Sequence, residues 1–509
     1  MASIKDSWEK LNGERGGSLR TARECAELTL PHILPPEGHA ESTELPTPYQ
    51  SLGARGVNNL SSKMLFALFP TNTAFFRLTV NPALIDEVGD KEVSDEIEEA
   101  LRKRENNLLR KVETGNLRAT LGSTLKHLIV TGNNLIYMPK KAPSRNYALN
   151  QYVVVRDALG TVTKIVIYEQ AHPNTLPEEV IEHCQVIAEG TDPHELVDIY
   201  TCMELQKTGG YEWWQEINEI EVPSSRGKVA KGETPPYIAL RWQAVSGNDY
   251  GVGLVEEYLG DLRSLEGLMT SVIDFAAAAA RIILLLHPNS TTDETALAEA
   301  QSGDVVQGDI KDIDVLQLDK FADFKVAKEV VDDLTLRLSH VFLLQSGTVR
   351  DAERVTAAEI SAMAQELEDV LGGVYTVMAQ ELQLPLVKRL ISSEDFPKLP
   401  KVNGEPAVDP VIVTGFEALG RGHELNKVRA YIQDYIGMVG EQAAIARLDP
   451  DKIATELGKG HNVDPKLLLK SSEQIEADQQ QATQSQMLQT AMEKGTGPAI
   501  AAASKNTNQ

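Results

Sequence analysis

Apolar side chains recur every three or four positions in two long segments, and this spacing predicts two helices in the middle of the chain. The first begins near Leu254 and, if it extends to Leu286, is roughly 45–50 Å long at 1.5 Å per residue. The second runs from Phe321 to Leu344. The small residues Ala276–Ala280 let a neighbouring backbone approach closely, either within one monomer or in a ring of identical copies.

A third long helix is predicted after Thr356, which forms a capping-box sequence with Glu359. Gly372, Gly373 and Pro385 lie within its apolar repeat, at positions where a long helix can bend. The two glycines also fit a simple break between two separate helices.

The N-terminal part, residues 1–145, has a mostly helical pattern. Leu60–Phe69 is a compact apolar helix that Pro70 ends, and Val93–Val112 is a charged helix with an apolar stripe. The segment Leu121–Met138 is more apolar and continues the helical pattern. We therefore expect a helical start to the chain.

Residues 151–245 change to runs of β-branched residues. Tyr152–Arg156 and Thr161–Tyr168 flank a four-residue turn sequence, which predicts a hairpin. A second hairpin is predicted from Leu196–Leu205 and Tyr211–Ile220, and Tyr237–Val245 is expected to be a further strand. The pattern indicates a β-rich insertion between helical regions.

The C-terminal part begins with a proline-broken linker, followed by a strand-like segment at 411–414 and a helical pattern at 422–470. The last residues, 471–509, include no aromatic side chain. Such a segment buries too little apolar area to offset its ordering entropy, so most of it is predicted to be disordered.

A short acidic element, 287–320, separates the two central helices. Asp304–Gln307 and Ile313–Leu318 have strand patterns around Gly308 and Asp309. Asp309, Asp312 and Asp314 do not have the spacing, the glycine or the final glutamate of a calcium-binding loop. We therefore interpret them as a solvated acidic tip.

Charge and cysteine content exclude one class of function and indicate the cellular compartment. The formal net charge is −25, so general electrostatic binding of nucleic acid is excluded, because such binding needs clustered Lys and Arg. Three scattered cysteines, Cys25, Cys184 and Cys202, cannot form a disulfide framework, which favours a reducing compartment. The polar N-terminus does not match a signal peptide, and no apolar stretch reaches the length of a membrane span.

No catalytic, cofactor-binding or metal-binding motif stands out in the sequence. Phosphate-binding loops, zinc-protease motifs and nucleophile elbows are all missing. The carboxylate pairs Asp332–Asp333 and Glu256–Glu257 could serve an acid–base hydrolase, but adjacent helical residues point about 100° apart and make poor dyads. We therefore expect a protein that is not an enzyme and has no cofactor.

Several collinear segments resemble the portal, or head-to-tail connector, proteins of short-tailed, autographivirus-type podophages. The resemblance extends from about residue 15 to about residue 430 and is carried by Pro48–Lys63 with Leu65–Pro70, Tyr250–Gly251 with Glu256–Glu266, Glu353–Glu359, Glu366–Tyr375, Gln380–Lys388 and Gly415–Gly422.

The resemblance implies an α+β fold, mainly α, in which about twelve copies form a ring around DNA at one capsid vertex. In family terms the segments would be the wing (1–253), a first stem helix (254–286), the clip (287–320), a second stem helix (321–344), the tunnel loop (345–354), a long kinked wing helix and strand (355–420), crown-like helices (421–470) and a disordered tail (471–509).

The implied partners are the packaging terminase and then the tail adaptor at the clip, together with scaffold, major capsid and internal core proteins. The implied location is the virion, after assembly in the host cytoplasm, with no membrane contact. Double-stranded DNA would pass through the channel during packaging and ejection. The alternative is an intracellular helical scaffold protein without a DNA channel.

Two sets of candidate site residues follow from the resemblance. Arg350 and Arg354 of the implied tunnel loop could touch DNA phosphates transiently, or could instead form salt bridges with nearby carboxylates. Asp309, Asp312 and Asp314 of the implied clip are expected to bind the docking partners.

Overall fold

The structure, a computed structural model, divides the chain into two compact units, Met1–Phe416 and Glu417–Gln509. The residues that the structure describes are 3–40, 42–70, 74–80, 91–140, 142–186, 195–279, 283–290, 292–316, 321–344, 373, 377–393, 401–402, 405–406, 408–412, 430–440, 443, 447–448, 450 and 453.

The helices of the first unit form most of its framework. Within the described residues they are α1 (Ile4–Glu14), α2 (Gly16–Glu27), α3 (Leu52–Leu68), α4 (Lys91–Thr114), α5 (Leu117–Thr131), α6 (Glu178–His183), α7 (Leu254–Glu257), α8 (Leu259–Ala279), α9 (Glu294–Glu299), α10 (Phe321–Val341) and α11 (Leu384–Ser393). The helices predicted near 60–69, 93–112 and 321–344 are thereby confirmed.

The strands in the part of the chain that the structure describes form several antiparallel sheets. They are β1 (Phe76–Val80), β2 (Asn133–Tyr137), β3 (Arg145–Tyr147), β4 (Tyr152–Arg156), β5 (Val162–Ala171), β6 (Val197–Leu205), β7 (Tyr211–Ile217), β8 (Ile220–Glu221), β9 (Gly227–Val229), β10 (Tyr237–Arg241), β11 (Ile283–Leu286), β12 (Ile313–Leu316), β13 (Lys401–Val402), β14 (Glu405–Pro406) and β15 (Val408–Ile412).

The β-rich insertion is a six-stranded meander in which β4 to β8 follow one another and β9 pairs with β7. Both predicted hairpins are confirmed. The first turn is stabilised by Asp157, whose Oδ1 accepts hydrogen bonds from the Leu159 and Thr161 amides at 2.9 and 2.8 Å. These bonds favour the charged carboxylate and lower the pKa of Asp157.

The predicted strand near 237 is also confirmed, but it belongs to another sheet. β10 pairs with β2, and β3 completes this three-stranded sheet. The sheet packs with α3 and α5 in the main hydrophobic core. Apolar side chains from the sheet and from both helices belong to this one buried cluster. Phe69, Phe76 and Trp242 are among the largest fully buried residues.

The helical pattern predicted over 121–138 is wrong in its second half. α5 ends at Thr131, and Gly132 adopts a left-handed conformation with φ of +71°. A Cβ atom at Gly132 would lie 2.4 Å from the Gly253 nitrogen, so only glycine allows this close approach. The apolar residues that follow form β2 rather than a further helical turn.

The first central helix is shorter than predicted. It ends at Ala279, and the apolar run Ile283–Leu286 is a strand that pairs with β12. A short apolar run fits a helix or a strand equally well, and here the partner strand decides the outcome. The strand predicted at 313–318 is confirmed as β12, whereas the described residues 304–307 form no strand.

The described residues of the third predicted helix contain a π-helical turn, Ala379–Gln383, directly before α11. Pro385 has no N–H to donate to the preceding turn, which is a physical reason for the interruption. Residues 411–412 of the strand predicted at 411–414 belong to β15, which pairs with β1, and residues 413–414 lie outside the described residues. In the second unit, residues 430–439 are helical.

Candidate docking hairpin and its anchor

α8 and α10 pack side by side as an antiparallel helical hairpin. At its base Leu262, Leu265, Leu334 and Leu338 are buried in the main core. Farther out the rings of Phe275 and Phe324 stack with centroids 5.3 Å apart. The hairpin therefore begins inside the globular core and extends away from it.

The end of α10 is fixed to α3 by hydrogen bonds. The Asn59 side-chain amide donates to the Phe342 and Leu343 carbonyls, both at 2.9 Å, and the Lys63 ammonium donates to the Leu343 carbonyl at 3.0 Å. The Phe342 ring packs so closely on α3 that a Cβ atom at Gly56 would lie 2.4 Å from it. These contacts hold the end of α10 in one position.

The beginning of α8 is fixed in a similar way. Glu266 accepts hydrogen bonds from the Tyr49 and Gln50 amides at 2.8 and 3.2 Å. Arg263 forms an ion pair with Glu24 of α2, and the hydrogen bond from Arg263 lowers the pKa of Glu24. Two segments that carry the resemblance, Pro48–Lys63 and Glu256–Glu266, are thus joined in space at the base of the hairpin.

The tip of the hairpin is the two-stranded sheet of β11 and β12 with the residues between them. Asp293 caps α9 by accepting from the Thr295 amide at 2.9 Å, and Asp309 accepts from the Lys311 amide at 3.0 Å at the start of a single 3₁₀ turn. Asp314 is exposed and lies opposite Leu285 in the sheet register. Asp309 therefore has a structural role in addition to its charge.

Two apolar side chains at this tip are almost completely exposed. Val305 is 98% exposed and Ile310 is 87% exposed, and both lie among carboxylates. Neither residue was predicted from the sequence as part of a site. Single exposed apolar side chains are ordinary on protein surfaces, so these two do not by themselves mark a contact surface.

The outer faces of the two helices also carry exposed apolar side chains. Ile273 of α8 is 40% exposed, and Val326, Val330 and Leu336 of α10 are 61%, 43% and 49% exposed. The described part of a single chain does not cover these side chains.

The other candidate residues are not brought together at this site. Arg350 and Arg354 lie outside the residues that the structure describes, as does Gly372, and nothing is described for the side chain of Asp312. Asp332 and Asp333 are exposed on α10, and Asp333 lies 3.3 Å from Arg337. Arg337 also approaches Asp261 of α8 at 3.8 Å, so these charges link the two helices.

The second carboxylate pair is in a different environment. Glu256 and Glu257 of α7 both have raised pKa values because burial disfavours their charged forms.

Within the described ranges, no group of three or more His, Cys, Asp or Glu side chains is arranged to hold a metal ion. None of the helices in the described part has the length and apolar character that crossing a membrane requires.

Comparisons with known proteins place the chain in a family. The family described as "Bacteriophage head to tail connecting protein" matches residues 1–469. The portal protein of Enterobacteria phage T3 is 38% identical over 512 residues, covering 98% of this chain and 92% of that protein. The portal protein of Escherichia phage T7 is 38% identical over 506 residues, covering 96% and 92%.

A solved gene transfer agent virion contains a chain that is 13% identical, with a TM-score of 0.35, covering 80% of this chain and 89% of that chain. The family assignment therefore rests on the sequence relatives. These relatives confirm the resemblance and give no support to a scaffold without a DNA channel. The chain belongs to the family of bacteriophage head-to-tail connecting proteins, the portal proteins of podophages.

Proposed function

We propose that about twelve copies of this chain form a ring at one capsid vertex and that the ring is the channel for the phage genome. The observation that carries the proposal is the hairpin of α8 and α10, which is fixed at its base and has exposed apolar side chains on its outer faces. Side-by-side packing in a ring would bury Ile273, Val326 and Val330 between neighbouring copies.

The net charge of the chain supports the role of a conduit. A charge of −25 per copy repels DNA phosphates, over a distance limited to about 8 Å at physiological salt. Duplex DNA could then slide through without binding tightly. Arg350 and Arg354 of the proposed tunnel loop would make only transient phosphate contacts during packaging and ejection.

The first experiment tests the ring itself. We expect native mass spectrometry of the purified chain to give one closed oligomer, and end-on electron micrographs to show a central opening wide enough for duplex DNA. A chain that stays monomeric under all capsid-like conditions, or that forms discs without an opening, would contradict the proposal.

The tip of the hairpin would be the clip, which docks first the packaging terminase and later the tail adaptor. Reversing Asp309, Asp312 and Asp314 to Lys should leave ring assembly intact and impair docking of these partners. Reversing Glu178, Glu179 and Glu182 of α6 to Lys makes the same change in charge at positions distant in sequence from the clip, and this variant serves as the control. Normal virion yield from the clip variant would argue against this assignment.

The ring is also proposed to contact the scaffold, major capsid and internal core proteins in the host cytoplasm, before it becomes part of the virion. The ring would have no catalytic activity, and a separate terminase would supply the energy for packaging. A nucleotide-hydrolysis assay on purified rings tests this point, because turnover that a single carboxylate substitution abolishes would refute it.

A further inference from the structure

The apolar run Ile283–Leu286 at the tip of the hairpin has a helical pattern in the sequence and an extended structure in the fold. Apolar positions recur every three or four residues along α8, and Ile283 and Leu286 continue this repeat beyond Ala279. The structure instead pairs the run with β12 in a two-stranded antiparallel sheet. A conflict of this kind between local pattern and fold is expected at strained or functional sites.

No helix stop signal separates α8 from this run. Between Ala279 and Pro288 the sequence contains neither glycine nor proline, whereas many helices end at a glycine. Three of the four residues of the run are leucines, and leucine ranks next to alanine in helix propensity. The β-branched Ile283 has the opposite preference, for a strand. Local preference therefore does not decide between a longer α8 and the strand β11.

Few tertiary contacts hold the run in its extended form. Among the tip residues 283–316 whose side chains the structure describes, Thr292 is buried and no apolar side chain is. Leu285 is 48% exposed, although it lies within the sheet opposite Asp314. An isolated two-stranded sheet is marginally stable in water. The pairing of β11 with β12 is therefore the main contribution that keeps the run extended.

We propose that Ile283–Leu286 is a helix–strand switch. In one state the run pairs with β12, as in this structure, and in the other it continues α8 by about two turns and leaves β12 unpaired. Both states give its backbone groups hydrogen bonds, either across the sheet or along the helix. The four residues span about 13 Å as a strand and about 6 Å as a helix, so the switch moves the tip relative to α8.

The switch regulates docking at the tip, and this role rests on the proposed function of the tip as a docking site. A partner that contacts the paired strands binds the strand state and shifts the population toward it. The chain without such a partner populates both states. Docking is then accompanied by stable pairing of β12.

Hydrogen exchange of the full chain, purified without a docking partner, distinguishes switching from fraying. Leu285→Ala favours the helical state and Leu285→Thr favours the strand, and the exposure of Leu285 keeps the cost of either change small. We expect the amides of β12 to exchange roughly tenfold faster in Leu285→Ala than in Leu285→Thr. The amides of Ile283–Leu286 should stay protected in Leu285→Ala, because helical bonds replace those of the sheet.

Two results would overturn the switch. One is equal exchange of the β12 amides in the two variants, and the other is a joint loss of protection in β11 and β12, which is fraying. Val305→Ala and Val305→Thr are the matched control pair, because Val305 is 98% exposed and lies outside the helices and strands of the tip. These two variants should exchange alike at β12.

Virion yield tests the regulatory role. Leu285→Thr should give a yield near that of the wild type and Leu285→Ala a lower one, and equal yields would refute regulation by the switch. The exchange measurements need no ring. A wild-type chain that forms no ring would therefore refute the proposed channel and leave the exchange result to decide the switch.

Discussion

At the scale of single residues, several side chains have roles that depend on what packs against them. Arg15 is buried and its guanidinium donates to the carbonyls of Leu149, Asn150 and Tyr152. Its plane also lies over the Trp8 ring, 5.3 Å from the centroid. One charged residue thus joins α1 and α2 to the start of the β-rich insertion, which its position in the sequence does not indicate.

Two helical glycines give a matched prediction about packing. Gly56→Ala should destabilise the protein by about 1–3 kcal/mol, because the new methyl group would lie 2.4 Å from the Phe342 ring. Gly122→Ala adds the same methyl group to α5, 3.6 Å from Leu65, which is an ordinary contact. It should therefore stabilise by up to about 1 kcal/mol through helix propensity.

Urea unfolding of the two variants beside the wild type measures both effects. Equal stability of Gly56→Ala and Gly122→Ala would show that Phe342 does not pack on α3 as described.

His127 gives a prediction about pH. Burial in α5 lowers its pKa from 6.5 to about 4. Between these two values the unfolded chain binds a proton that the folded chain does not, so stability falls as the pH falls. The loss between pH 7 and pH 5 should be about 2 kcal/mol from this residue.

Urea unfolding at pH 7 and pH 5 measures that loss. His127→Gln should reduce the difference between the two pH values, whereas substitution of the exposed His172 should not change it. A pH dependence that is the same in His127→Gln and in the wild type would contradict a buried neutral imidazole.

At the scale of elements, the sequence predicted the type of most long segments and misplaced several ends. Helical periodicity identified α10, and runs of strand-forming residues on either side of a turn sequence identified both hairpins of the β-rich insertion. The sequence pattern wrongly extended α8 through Ile283–Leu286, because a short apolar run fits a helix and a strand equally well. The end of α5 depended on the contact between Gly132 and Gly253, which are far apart in the chain.

The turn at the tip of the hairpin can be tested as an element. Asp309→Ala removes the acceptor for the Lys311 amide, which should locally destabilise the turn by about 0.5–2 kcal/mol. Hydrogen exchange of the peptide that contains residues 308–316 should become faster. Asp309→Asn keeps a side-chain oxygen and should exchange nearly as the wild type does.

This comparison separates the capping role of Asp309 from its charge. If Asp309→Asn and Asp309→Ala exchange equally fast, the side chain does not cap the turn, and its contribution at the tip is limited to charge.

At the scale of the whole molecule, the exposed apolar faces of α8 and α10 lead to a prediction about assembly. Val330→Glu should weaken ring formation, because a charge would be buried in each contact between copies without a partner. The isolated chain should keep its helical content, since Val330 is 43% exposed in a single copy. Native mass spectrometry and circular dichroism measure the two properties separately.

Glu329→Gln, at the preceding exposed position of α10, is the control and should assemble nearly as the wild type does. Rings of Val330→Glu that form at the same protein concentration as wild-type rings would show that this face is not the contact between copies.

The sequence by itself determined the family, the order of helical and β-rich segments and the acidic character of the chain, because these depend on local patterns and on collinear motifs. Tertiary structure decided where α5 and α8 end, and that Glu266 and Asn59 fix the base of the hairpin. Those features depend on contacts between residues distant in the chain, and no local pattern encodes them.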